Sequence, residues 1–289
     1  MANEIFLNYD QAALDAEYDN RGKVEDFQNF LDDYVTLSAH ARQTLACRLD
    51  VVYGDQAGER LDVFQPTARQ NPGPILIYIH GGYWKSLSKK EHSFVALGLA
   101  PMGVTTLVID YDLMPGVRMD ELVRQCRNAV IWAYRNADRL AAEPEQIYVC
   151  GHSAGGHLTA MIAATDWPDA ANLRSDTVKG CTGLSGLYDL EPIRLCFLND
   201  DLAMSQAEAS RNSPMSLMPN ITPPLQAIVG SEEGAEYLRQ SNGLAAAWSK
   251  GGHDTKAITI TGLNHFSIAR RLSEPDSDVT KIVLAQMGL

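Results

Sequence analysis

The chain contains no C-x-x-C pair. Its five cysteines, Cys47, Cys126, Cys150, Cys181 and Cys196, are odd in number and scattered over 289 residues. That spacing offers neither a zinc site nor a disulfide framework, and it fits a reducing cytoplasm. Basic residues are also few: 24 Lys and Arg stand against 36 Asp and Glu, a formal charge of −12. Nucleic acid and anionic membrane both reward basic patches, so neither is expected as a partner. No apolar run approaches the ~20 residues that a membrane helix needs. The opening residues Met1-Ala2-Asn3-Glu4-Ile5-Phe6 lack the basic and apolar stretches of a signal peptide. There is no G-x-G-x-x-G, the glycines of Gly151–Gly156 are not followed by Lys-Ser/Thr, and no cluster stands at metal-ligand spacing. Dinucleotide, P-loop and metal chemistry are therefore not expected, and no cofactor is called for.

Repeats, low-complexity tracts and linkers are absent as well, so residues 1–289 read as a single domain, long enough for a sizeable core. Residues 1–46 form a helical N-terminal segment, with Leu14, Tyr18, Phe27, Phe30, Leu31 and Tyr34 as an apolar stripe that reads mainly as packing. Residues 47–53 and 60–64 alternate like antiparallel strands around the turn at 54–58. Beyond the loop Asn71-Pro72-Gly73-Pro74, short apolar strands are predicted at 75–79, 104–110, 147–150, 178–184, 225–229 and 257–261. Helices are predicted between and after them at 89–101, 119–141, 155–164, 236–250 and 278–287. Apolar strands alternating with amphipathic helices imply an α/β fold: a mostly parallel sheet covered on both faces. Its active site belongs at the carboxyl ends of the strands. Residues 190–220 break the rhythm and read as a small helical cap over that end.

At one such end stands Gly151-His152-Ser153-Ala154-Gly155-Gly156, which carries the frame G-x-S-x-G. A serine on a glycine-flanked strand-to-helix turn is what a nucleophile elbow requires. Ser153 is therefore the candidate nucleophile. A serine hydroxyl needs a base to take its proton. His265 follows the last predicted strand in Gly262-Leu263-Asn264-His265-Phe266, the position and chain order expected of that base. His40, His92, His152, His157 and His253 fit less well by position. The acid that steadies the imidazole belongs in Gly230-Ser231-Glu232-Glu233-Gly234-Ala235-Glu236. Glu233 is the assignment, with Glu232 and Glu236 as alternatives. Oxyanion donors are expected from the amide of Ala154 and from the loop His80-Gly81-Gly82-Tyr83-Trp84, at Gly82 with Gly81 beside it. His80 reads as a loop-orienting residue. Tyr83, Trp84 and Phe266 suit a flat aromatic substrate, with core packing as the alternative for Trp84.

These motifs resemble the α/β-hydrolase superfamily over nearly the whole length. Within it, His80-Gly81-Gly82-Tyr83-Trp84 together with Gly151-His152-Ser153-Ala154-Gly155-Gly156-His157-Leu158 looks like the arylformamidase (kynurenine formamidase) branch, which carries HGGxW. Residues 14–21 are similar to that branch's N-terminal L-x-x-x-Y segment. Residues 233–241 are similar to its acid-loop segment, which usually begins with aspartate, so Glu233 departs from the pattern. The resemblance implies hydrolysis of N-formylkynurenine or a related aryl formamide. A carboxylesterase for small aromatic or short-chain esters is the alternative, and a non-catalytic ligand-binding homologue is a third. The partner expected is a small aromatic amide or ester, and a homodimer is left open.

Overall fold

The computed structural model describes residues 4–67 and 72–289. Met1-Ala2-Asn3 of the leader reading and Asn71 at the head of the predicted loop lie outside them. Three helices come first, α1 (Gln11–Tyr18), α2 (Asn20–Lys23) and α3 (Phe27–Thr44). Asp10 and Asp19 cap the first two, their carboxylates accepting from the amides of Ala13 and Gly22. Eight strands follow in chain order: β1 (Cys47–Val52), β2 (Arg60–Phe64), β3 (Gly73–Ile79), β4 (Thr105–Ile109), β5 (Ala142–His152), β6 (Val178–Leu184), β7 (Leu225–Gly230) and β8 (Thr255–Ile260). They form one sheet in the order β1-β2-β4-β3-β5-β6-β7-β8. Pairing is antiparallel at β1–β2 and β2–β4 and parallel everywhere else. The expected α/β-hydrolase architecture is the observed one.

The period of two along the strands explains why both faces are covered. On β3, Ile75, Ile77 and Ile79 enter one apolar core, and Leu76 and Tyr78 enter the other. The first core packs against α5 (Met119–Leu140), α6 (Ala154–Ala163), α7 (Trp167–Ala171) and α11 (Ala235–Lys250). Buried side chains of α3, α12 (Ser267–Arg270) and α13 (Asp278–Gln286) enter the second. Between β3 and β4 the predicted helix 89–101 is replaced by three short 3-10 turns around one α turn, α4 (Ala96–Leu99). Ser93, Phe94, Val95 and Ala96 are buried in succession, so these four residues have no solvent face to give them an amphipathic period.

Residues 190–220 hold three short helices, α8 (Glu191–Leu195), α9 (Asn199–Leu202) and α10 (Gln206–Arg211), and a 3-10 turn. Gln11 Nε2 donates to the Leu195 carbonyl, and Arg118 binds Glu208 and the carbonyls of Leu202 and Ala203. These bonds tie the segment to α1 and to the start of α5. Among the described residues, no helix is long and apolar enough to cross a membrane. All five cysteines are unpaired, four of them buried.

Candidate active site

The chemistry-bearing residues gather at the carboxyl ends of the parallel strands. Ser153 follows β5 and caps α6, with φ 56° and ψ −118°. A left-handed φ on a serine costs about 1–3 kcal/mol, and the surroundings hold it there. The Ser153 amide donates to the Leu184 carbonyl at 2.8 Å, and the Ser153 carbonyl accepts from His157 at 3.0 Å. Glycine is needed on both flanks. A Cβ on Gly151 would lie 2.2 Å from the Gly155 carbonyl oxygen, and one on Gly155 would lie 2.0 Å from that of Ile79.

His265 Nε2 stands 3.1 Å from Ser153 Oγ. Its other nitrogen, Nδ1, stands 2.7 Å from Glu233 Oε2. Facing an ionised carboxylate, Nδ1 carries the proton, which leaves the Nε2 lone pair toward the serine. Glu233 is fully buried, and its second oxygen accepts from Ser185 Oγ and from the Gly230 amide, each at 2.6 Å. The other two glutamates of the loop lie outside this file. Glu232 is exposed. Glu236 is buried against Tyr18 Oη at 2.7 Å and a two-point pair with Arg239. Geometry thus brings Ser153, His265 and Glu233 together, and it leaves the two alternative acids out.

The loop after β3 is bent by three successive positive φ values, at Gly82 (110°), Tyr83 (49°) and Trp84 (58°). Lys85 and Ser86 amides and Ser86 Oγ all donate to the Gly82 carbonyl. His80 Nδ1 donates to the Gly81 carbonyl at 2.7 Å. A trans peptide sets its N–H opposite its C=O, so His80 fixes the direction of the Gly82 N–H. Neither the Gly82 nor the Tyr83 amide has an acceptor among the described residues. Gly81 presses on the elbow: a methyl there would lie 3.1 Å from Ser153 Cβ. Burial pushes His80 down to about 4, so its ring is neutral. It stacks on Tyr111 with centroids 4.4 Å apart.

Ser153, His265, Gly82, Tyr83 and Phe266 open onto one cavity of about 400 Å³. Trp84 is not on its wall. It is fully buried in the core, donates from Nε1 to His157 Nδ1 at 3.2 Å, and meets that ring edge-on. The consecutive left-handed residues turn Tyr83 to the cavity and Trp84 to the interior, which corrects the aromatic-platform reading of Trp84. Conversely, Tyr18, Leu31 and Tyr34 of the N-terminal stripe line the cavity as well as pack. Phe197 and Leu198 add a wall from residues 190–220.

Several residues that support the triad carry no sequence signal of that role. Ser185 supports Glu233. Burial, then the adjacent His265, holds His152 well below the ordinary imidazole range. Neutral His152 donates from Nε2 to the His265 carbonyl at 2.8 Å, with ring centroids 4.7 Å apart. Tyr34 Oη donates to the Phe266 carbonyl at 2.6 Å. Together these bonds hold the loop that carries the base.

The BD-FAE family model matches residues 61–247. Kynurenine formamidase of Salmo salar is 34% identical over 86% of this chain and 84% of its own length. Esterase LipC of Mycobacterium tuberculosis is 33% identical over 64% of this chain and 51% of its own. Among solved structures, a candidate thioesterase from Silicibacter sp. TM1040 matches with a TM-score of 0.82 at 27% identity, covering 94% of this chain and 98% of that one.

Proposed function

We propose that this chain, which belongs to the BD-FAE family of α/β-hydrolases together with the kynurenine formamidases, cleaves N-formyl aryl amines such as N-formylkynurenine through a formyl-enzyme on Ser153. It is a serine-type hydrolase. The observation that carries the reading is the hydrogen-bonded file Ser153–His265–Glu233 opening onto a cavity walled by Tyr18, Tyr34, Tyr83, Phe197 and Phe266. Ring-rich walls suit a flat aryl group.

In the proposed reaction, Ser153 Oγ attacks the formyl carbon as its proton passes to His265 Nε2. The carbonyl electrons move to oxygen, where the amides of Gly82 and Ala154 receive the charge. Collapse of that intermediate breaks the C–N bond, and His265 returns the proton to the departing aryl amine. Water then attacks the formyl ester with His265 again as base; the Oγ–C bond breaks, His265 returns the proton to Ser153 Oγ, and formate leaves. Glu233 stays ionised and stabilises the imidazolium in both halves.

Similarity to LipC supports a second reading, an aryl or short-chain carboxylesterase, since the same steps release an alcohol. Values of kcat/KM for N-formylkynurenine and p-nitrophenyl acetate, measured side by side, decide between them. The formamide is expected to be the better substrate. A strong preference for the ester, with negligible formamide turnover, would establish the second reading instead.

A further inference from the structure

We propose that Arg21 is a specificity-determining residue that binds a carboxylate on the leaving-group side of the substrate, so that the enzyme selects anionic aryl amides over neutral ones. The inference deepens the reading above and rests on it for the reaction, though not for the site.

Two long cations line the cavity, Arg21 and Lys85. The Lys85 ammonium is paired with Asp201. Arg21 makes no ion pair among the described residues, and its guanidinium lies over the Phe27 ring, 5.6 Å from the centroid. From that ring a file of aromatics leads to the base. Phe27 is 6.1 Å from Phe266, and Phe266 meets His265 edge-on at 5.8 Å. An aryl group lying along this file with its carbonyl at Ser153 would direct its other substituents toward Arg21.

The segment that presents Arg21 is fastened to the catalytic loops on both sides of it. Asn20 Nδ2 donates to Tyr83 Oη at 2.9 Å and to Tyr237 Oη at 2.7 Å. Tyr83 Oη donates to the Tyr18 carbonyl at 2.7 Å, and Lys23 Nζ donates to the Glu233 carbonyl at 3.2 Å. Residues 18–23 are thus locked to the loops of the oxyanion donors and the acid, while the guanidinium between these anchors keeps its donors free. Asp19, also on the wall, spends Oδ1 on the Gly22 amide. A chain of net charge −12 repels anions in general, so an unpaired guanidinium among the residues lining this cavity is a selective feature. Its planar fork matches a carboxylate at two points.

The test is a ratio of kcat/KM values for two formamides sharing one ring system: the anion 4-(2-formamidophenyl)-4-oxobutanoate and the neutral 2′-formamidoacetophenone, which lacks the carboxylate. The same ratio is read on two aryl acetates, with and without a ring carboxylate, so that failure of the formamidase reading does not remove the test. In Arg21→Gln the preference for the anionic member is expected to fall by about tenfold or more through KM. Arg21→Lys should recover part of it, and added salt should erode the wild-type preference. Because each variant serves as its own reference, lost stability cancels from the ratio. A wild-type enzyme with no anionic preference in either pair, or a ratio unmoved in Arg21→Gln, would overturn the assignment. Formamides left uncleaved alongside an Arg21-dependent preference between the acetates would overturn the formamidase reading and uphold Arg21.

Discussion

Replacing Glu233 with glutamine changes one atom, and the structure dictates how that atom is placed. Glu233 Oε1 accepts from the Gly230 amide and from Ser185 Oγ, both at 2.6 Å. An NH2 group there would face two donors, so the amide oxygen of the glutamine must take that position. The NH2 then turns toward His265 Nδ1, where Oε2 stood at 2.7 Å. A donor now faces Nδ1, so the imidazole shifts its proton to Nε2 and points an N–H at Ser153. The serine has lost its acceptor, and the imidazolium its counter-charge. A wrong tautomer of this kind costs about 10⁴-fold in kcat, or roughly 5 kcal/mol of transition-state stabilisation. The assay is steady-state hydrolysis of p-nitrophenyl acetate and of N-formylkynurenine, with thermal unfolding as the folding control. Glu236→Gln is the comparison. It weakens the pairing of Glu236 with Arg239 and Tyr18 and should cost about 1–3 kcal/mol of stability, with less than about a tenfold loss of kcat. A Glu233→Gln enzyme of near-normal activity, or a larger kcat loss at Glu236, would refute the reasoning.

Three further outcomes follow from the same geometry. His80→Phe keeps the stack on Tyr111 but removes the donor that fixes the Gly81 carbonyl; kcat should fall by about tenfold to a hundredfold with little change in KM, and an unchanged kcat would detach His80 from the oxyanion loop. Trp84→Phe leaves His157 Nδ1 without its donor inside the core, so a stability loss of about 1–3 kcal/mol is expected in chemical denaturation. The KM should barely move, and a large KM effect would return Trp84 to the cavity wall. Burial pushes His80, His92 and His157 down to about 4, 3 and 4. Their stabilisation is complete above pH 6.5 and is lost as pH falls toward those values, at up to about 1.4 kcal/mol per pH unit each. Asp110, raised by burial to about 6, works in the opposite sense, its contribution being lost as pH rises from about 4 to 6. With His152, which burial also holds down, four imidazoles stand against one carboxyl, and stability rises with pH across that window. Urea titrations between pH 4.5 and 7.5 should show the slope, and His157→Gln should flatten it; a flat profile in the wild type would contradict the buried neutral rings.

Ser153, His265 and the glycine loop were legible in the sequence because each is fixed by backbone chemistry. The elbow admits only glycine at 151 and 155, and chain order places the base after the last strand. Glu233 was harder to separate from Glu232 and Glu236, since three glutamates within five residues differ only in which way the loop turns them. Burial and the donors on Oε1 make that distinction in three dimensions. Trp84 is ambiguous in the sequence for a related reason: Tyr83 and Trp84 are adjacent and both aromatic, and their left-handed φ values accompany one to the cavity and the other to the core, the alternative left open for Trp84. The stripe 14–34 showed its apolar period, but periodicity does not tell a core neighbour from a cavity wall. Leu14 therefore packs inside while Leu31 and Tyr34 reach the cavity. Within 89–101 no continuous helix forms: residues 92–96 are buried in succession, and there packing overrides local preference.

The most direct test of the account is covalent mapping of the nucleophile. Treated with a fluorophosphonate and digested, the protein should carry one phosphonyl group per chain, on the peptide containing Ser153. Labelling should vanish in Ser153→Ala and slow greatly in His265→Ala. A label on any other residue, or an intact and folded protein that takes up none, would contradict an activated serine at position 153.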